Sequence, residues 1–107
     1  MDQTAQAVQV IQNVLARYEV QPVAIYLFGS RARGTPHPES DWDLLVLIRE
    51  DLTFRQKLPL LTEIKRLLAQ KSIPNDVLIM SATQYEQVKN IPGHIAYEIA
   101  QEGICLT

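Results

Sequence analysis

The 107-residue sequence contains a single cysteine, Cys105. No internal disulfide framework can form, and the chain reads as a cytosolic protein. Within "GICLT" that thiol is expected as a small buried hydrophobe rather than a nucleophile. Basic charge is in no surplus either. Ten Lys and Arg against twelve Asp and Glu leave a net charge of −2, with a pI near 5.6. Stand-alone nucleic-acid binders carry a basic excess, so a direct nucleic-acid partner is not expected, although the balance leaves room for a local basic patch. No apolar run approaches the roughly 20 residues of a membrane span. The opening "MDQTAQAVQVIQ" has an acid and glutamines where a signal peptide carries a basic end and an apolar block. Repeats and low-complexity tracts are missing as well.

What remains has the profile of one globular domain spanning residues 1–107, with 47% hydrophobic and 21% charged residues. Val8, Ile11, Leu15 and Tyr18, with Val14 beside them, recur at helical spacing and predict a helix over about Thr4 to Tyr18. "VQPVAIYLF" predicts a strand from Val23 to Phe28, with Pro22 just before it, where it removes no ladder bond. Gly29-Ser30 ends the strand. "RARGTPHPES" is a connection that opens with one helical turn at most, since Pro36 and Pro38 keep its second half irregular. A second strand is expected from Asp41 to Ile48. Its unbroken "LLVLI" predicts cover on both faces.

Leu61, Ile64, Leu67 and Leu68 mark a helix ending near Lys71. Thr53 with Gln56 resembles a capping box for it, yet Pro59 disfavours a straight helix through that point. "IPNDVLIM" predicts a third strand from Asp76 to Met80. Ser81 with Gln84 suggests the cap of a short helix through Val88. "GHIAYEIAQEG" reads as a helix with Ile95, Ala96 and Ile99 on one face and Gly103 as its C-cap. A short extended piece, "ICLT", follows. The fold class is α/β, a small mixed sheet covered by helices.

Alternation along the second strand sends Asp41 and Asp43 to one face and Trp42 to the other. A helix joins strands two and three, which implies a parallel crossover and puts their N-terminal ends at one sheet edge. Asp76 then starts strand three where Asp41 and Asp43 start strand two. The short link between strands one and two implies an antiparallel pair, which brings Gly29-Ser30 to the same edge. Three converging carboxylates repel one another unless a cation compensates them, and hard oxygen donors suit Mg²⁺ or Mn²⁺. Gly29 permits close backbone approach, Ser30 offers a hydroxyl and an N–H to a phosphate, and Arg31 and Arg33 add positive charge. Alone, each piece has a plain reading: a solvated Asx turn, a strand end, a charged surface. Together they describe a metal–triphosphate site. His37 is expected as a surface residue of the loop, His94 as structural, and Trp42 as packed under the sheet, with base stacking as the other option.

"LFGSRARG", then ten residues between Ser30 and Asp41, then "DWDLLV", resembles the Gly-Ser…Asp-x-Asp signature of the DNA polymerase β-like nucleotidyltransferase superfamily. The wording "GSRARG…SDWDL" is similar to that of the minimal nucleotidyltransferases, which act as antitoxins to small helical HEPN-type toxins. The resemblance implies a polymerase β-like nucleotidyltransferase core. It further implies that Asp41 and Asp43 hold two metal ions. Asp76 would serve as the third carboxylate, able to take the acceptor's proton, and Gly29 and Ser30 would hold the phosphates of ATP. Arg33 is implied at the nucleotide, and Ser40 either there or as a cap of the loop. It implies a HEPN-family toxin as partner, a tyrosine hydroxyl on that toxin as acceptor, and AMP as the group transferred. So small a core is expected to receive its acceptor from a partner protein. The competing expectation is a non-catalytic antitoxin that neutralises the toxin by binding alone. A free-standing enzyme acting on a small molecule or an RNA end is a third.

Overall fold

A computed structural model describes residues 2–34 and 40–107. The expected roles of Pro36, His37 and Pro38 lie outside the described residues. The first apolar stripe winds into α1 (Gln3–Arg17), capped by Asp2, whose carboxylate accepts the Ala5 N–H at 2.8 Å. Ala7, Val10, Ile11, Val14 and Leu15 form its buried face. Tyr18, expected on that face, is the C-cap and is largely exposed.

Strand β1 (Pro22–Phe28) runs antiparallel to β2 (Trp42–Ile48). Pro22 is the first strand residue, where its missing N–H is tolerated, and the register shifts between it and Ala24. β2 runs parallel to β3 (Asn75–Ser81), and a two-residue β4 (Ile104–Cys105) pairs antiparallel with β1. The order is β3-β2-β1-β4. β2 is central, which explains its continuous apolar run. On one face Trp42, Leu44, Val46 and Ile48 pack with α1 and with α2 (Phe54–Gln70). On the other, Leu45 and Leu47 pack with α3 (Ala82–Val88) and α4 (Ile95–Glu102). The architecture is the expected mixed sheet between helices.

Local details depart from expectation in four places. Helix α2 begins at the capping box, with Gln56 N–H donating to Thr53 Oγ1 at 3.2 Å and Thr53 N–H to Gln56 Oε1 at 2.9 Å. It then continues past Pro59 to Gln70. The proline removes the hydrogen bond to the Arg55 carbonyl, but both residues are exposed, so the loss falls on the solvent side of the helix. Ile95, expected to be buried with Ala96 and Ile99, lies at the exposed margin of α4. Gly103 does cap α4, at φ −68, which is not left-handed. Its requirement for glycine is close approach: a Cβ there would sit 2.5 Å from the Ile99 carbonyl oxygen. Cys105, expected to be buried, is exposed. Leu106 turns into the core and donates its N–H to the Ile25 carbonyl at 2.7 Å, so alternation turns Cys105 outward at the sheet's edge.

Candidate active site

The site is built where three chain segments reach one edge of the sheet. At the end of β1 the chain reverses through Gly29, whose φ of 75 lies in the left-handed region. The Gly29 carbonyl accepts the N–H groups of Ala32 and Arg33, both at 3.1 Å, closing the single turn expected at the start of the connection. Across the sheet, Phe28 faces Asp43 in the β1–β2 pair, and Asp43 faces Asp76 in the β2–β3 pair. Odd-numbered residues of β2 and even-numbered residues of β3 share the α3/α4 face, so both carboxylates start from the same side. Asp41 precedes β2 in an exposed position.

Gly29 and Asp43 are in intimate contact. A Cβ built on Gly29 would overlap Oδ2 of Asp43 and reach within 3.0 Å of its Cγ. Glycine is therefore required twice here, by backbone angle and by space. Asp43 is half-buried. Burial first, then the Asp76 carboxylate, then that of Asp41, push its carboxyl above the ordinary 3.8, while Arg33 opposes them.

The remaining residues divide into two groups. Arg33 extends toward the carboxylates and pairs with Glu102 of α4 at 3.8 Å. Asp76 pairs with Lys65 of α2 at 3.9 Å. All four of these side chains are about half-exposed. Arg31, expected to add charge near a phosphate, is placed differently. Its guanidinium lies 4.6 Å from the centroid of the Trp42 ring, on the α1/α2 side of the sheet, and donates to the Ser40 carbonyl. Trp42 packs under the sheet, and His94 caps α4, its Nδ1 accepting the Ala96 N–H at 3.0 Å. A hollow of about 700 Å³ lies elsewhere, between α1 and α2, lined by Val10, Asn13, Arg17, Leu67 and Lys71 among others.

With this geometry the comparison with known families is decisive. Residues 9–107 match the family described as polymerase beta, nucleotidyltransferase. The chain belongs to the polymerase beta nucleotidyltransferase family. No curated protein matches it. Among solved structures, a toxin–antitoxin with AMP-PNP aligns over 92% of this nucleotidyltransferase and 71% of its own chain, at 22% identity and TM-score 0.58. A Shewanella oneidensis complex of a tri-AMPylated HEPN toxin with an MNT antitoxin aligns over 98% and 69%, at 15% identity and TM-score 0.58. A minimal nucleotidyltransferase aligns over 97% and 95%, at 24% identity and TM-score 0.57. At these identities the likeness is one of fold.

The donor set suits a hard divalent cation only in part. Among the described residues no group of three or more His, Cys, Asp or Glu could hold a metal ion by itself. Mg²⁺ ordinarily takes one or two carboxylates together with substrate phosphates and water. Asp41 and Asp43 fit that pattern. Asp76, turned to Lys65, would join it only on leaving that partner. Sequence reasoning missed Lys65, Glu102 and the true place of Arg31. The first two pairings arise from helix packing across the sheet and carry no local signal. Arg31 was legible in principle, since an arginine and a tryptophan flanking one loop are a ready stack.

Proposed function

We propose that this nucleotidyltransferase is a metal-dependent antitoxin. It transfers AMP from ATP to a tyrosine hydroxyl of a partner HEPN RNase toxin in the cytosol and so neutralises it. The observation that carries the reading is the Asp43 carboxylate, pressed against Gly29 and opposite Asp76 in register, with burial first and then the Asp76 and Asp41 carboxylates raising its pKa. A site of that kind gains from a cation and a polyphosphate. The similar structures solved with AMP-PNP and with a tri-AMPylated HEPN toxin support the choice of nucleotide and partner.

Asp41 and Asp43 would hold the metal ions, with Asp76 contributing to one of them. When bound, such ions lower the pKa of an acceptor hydroxyl and stabilise the leaving pyrophosphate. The chain's own residues do the rest by position. The turn at Gly29 and Ser30 receives the phosphates, and Arg33 lies beside them. The tyrosine oxygen attacks the α-phosphorus. The bond from that phosphorus to the oxygen bridging it to the β-phosphorus breaks, and pyrophosphate departs with that electron pair. The phenolic proton passes to the Asp76 carboxylate.

The test is the intact mass of the protein that co-purifies with this chain. A partner heavier by whole nucleotide-monophosphate units, and unshifted with the Asp41→Asn, Asp43→Asn double variant, is the expected result. An unmodified partner that is equally neutralised by both forms would overturn the catalytic reading.

A further inference from the structure

We infer that Arg31 is a positioning residue, a clamp that fixes the Asp41–Trp42–Asp43 segment against the Gly29 turn and is itself withheld from the nucleotide. The inference rests on the roles proposed above for Asp41 and Asp43.

Arg31 stands in the turn that follows Gly29 and Ser30, and Ser40 stands at the far end of the same connection. Nε and Nη2 of Arg31 both donate to the Ser40 carbonyl, at 3.1 and 2.9 Å. One side chain therefore joins the two ends of the connecting segment. The same guanidinium covers the Trp42 ring, 4.6 Å from its centroid. Trp42 is 7% exposed, and its Nε1 has no hydrogen-bond partner among the described residues. The ring is thus oriented by packing and by the guanidinium, not by a polar anchor of its own. The Trp42 backbone is held separately, its N–H donating to the Pro74 carbonyl at 2.8 Å, one residue before β3.

These contacts grip both neighbours of Asp41. Ser40 is held through its carbonyl and Trp42 through its ring and its N–H. Asp43 follows on the opposite face of β2, where it meets Gly29. The clamp and the carboxylates lie on opposite sides of the sheet, so Arg31 acts through the backbone it fixes. Only arginine can fork two donors onto one oxygen while presenting a planar face to a ring. Groups that orient metal-binding side chains are ordinarily worth 10–100-fold in metal affinity or activity.

The experiment uses the full chain and two variants, Arg31→Ala and Arg31→Lys. Mn²⁺ affinity is measured by electron paramagnetic resonance with a non-hydrolysable ATP analogue present. Emission of Trp42, the single tryptophan, reports the stack. Both variants are expected to lose about 10–100-fold in Mn²⁺ affinity. Their Trp42 emission should shift to the red and become more accessible to acrylamide, with circular dichroism unchanged. Wild-type Mn²⁺ affinity in Arg31→Lys would show that charge alone suffices and overturn the clamp, as would unchanged Trp42 emission in both variants. Arg31→Lys decides alone if Arg31→Ala does not fold, and failure of both to fold would replace a local role with a global one. The Asp41→Asn, Asp43→Asn variant separates the two readings. If it binds Mn²⁺ as wild type does, the metal-site assignment fails, while Trp42 emission still tests the stack.

Discussion

Replacing Gly29 with alanine adds two separable strains. The first is local. A residue with a Cβ held at φ 75 loses about 1–2 kcal/mol relative to a right-handed conformation. The second depends on Asp43, whose Oδ2 occupies the place of the new Cβ. The carboxylate must rotate from its rotamer, at about 0.5–1.5 kcal/mol. Gly29→Ala alone should then destabilise the protein by about 1.5–3.5 kcal/mol. In an Asp43→Ala background the overlap with the carboxylate is gone, leaving the backbone strain and a close contact of 3.3 Å with the Cβ at position 43, so the two substitutions should couple by about 1 kcal/mol. Urea unfolding followed by Trp42 fluorescence and far-UV circular dichroism measures all four proteins of the cycle. Additivity to within about 0.3 kcal/mol would refute the packing of Asp43 on Gly29. The rotated carboxylate also no longer faces Asp76, so Gly29→Ala should lose Mn²⁺ binding even under conditions where it remains folded.

Three further substitutions test separate parts of the structure. Asp43→Asn addresses pH: the folded-state carboxyl titrates above 3.8, so the native state holds that proton more tightly than the unfolded chain, and ionisation reduces stability as pH rises through the window above 3.8. Metal-free Asp43→Asn protein should therefore melt above wild type at pH 7, by at most about 1 kcal/mol after solvent screening, with the difference closing below pH 3.8; a lower melting point at neutral pH would contradict the cited cause. Gly103→Ala should lose about 1–3 kcal/mol by overpacking against the Ile99 carbonyl, and Gly103→Asn should do no better, whereas a left-handed cap would tolerate asparagine. Lys65→Ala removes a solvent-screened partner of Asp76 and should change stability by less than about 1 kcal/mol; a loss above about 2 kcal/mol in thermal unfolding would mean that the pair is not the loose contact its 3.9 Å separation indicates.

The order of elements was legible because each signal was local. Capping residues stood at Thr53 and Ser81, turn residues at Gly29-Ser30, and the two-sided burial of β2 was written in "LLVLI". The edge shared by Asp43, Asp76 and Gly29 followed from alternation and crossover rules alone. What escaped depends on surroundings that sequence does not display. Pro59 was misjudged because its effect on a helix turns on whether the Arg55 carbonyl meets water. Cys105 was misjudged because a two-residue edge strand has an uncovered side. Gly103 was placed correctly for the wrong reason, since crowding by Ile99, not backbone angle, excludes a side chain there.

The two arginines of "SRAR" show how one short motif divides its work. Arg31 is bound by two hydrogen bonds to one oxygen and by a stack on a buried ring. Releasing it would give up three contacts and uncover Trp42. Among the described residues Arg33 has one ion-pair partner, Glu102, at 3.8 Å, with both side chains about half in water. Asp76 is held no more firmly, by Lys65 at 3.9 Å. Exposed pairs of this kind contribute about 0–1 kcal/mol each, so under the proposed function an incoming polyphosphate or cation would displace them at little expense. Asp43, by contrast, has no ion pair among the described residues, and burial first, then the carboxylates of Asp76 and Asp41, push it toward protonation against the opposing charge of Arg33. The site is therefore rigid where it needs geometry and loosely paired where it needs to exchange partners. In the proposed reaction, the charge that relieves Asp43 must come from the ligand, and the residues that meet the ligand are those with least to lose by turning toward it.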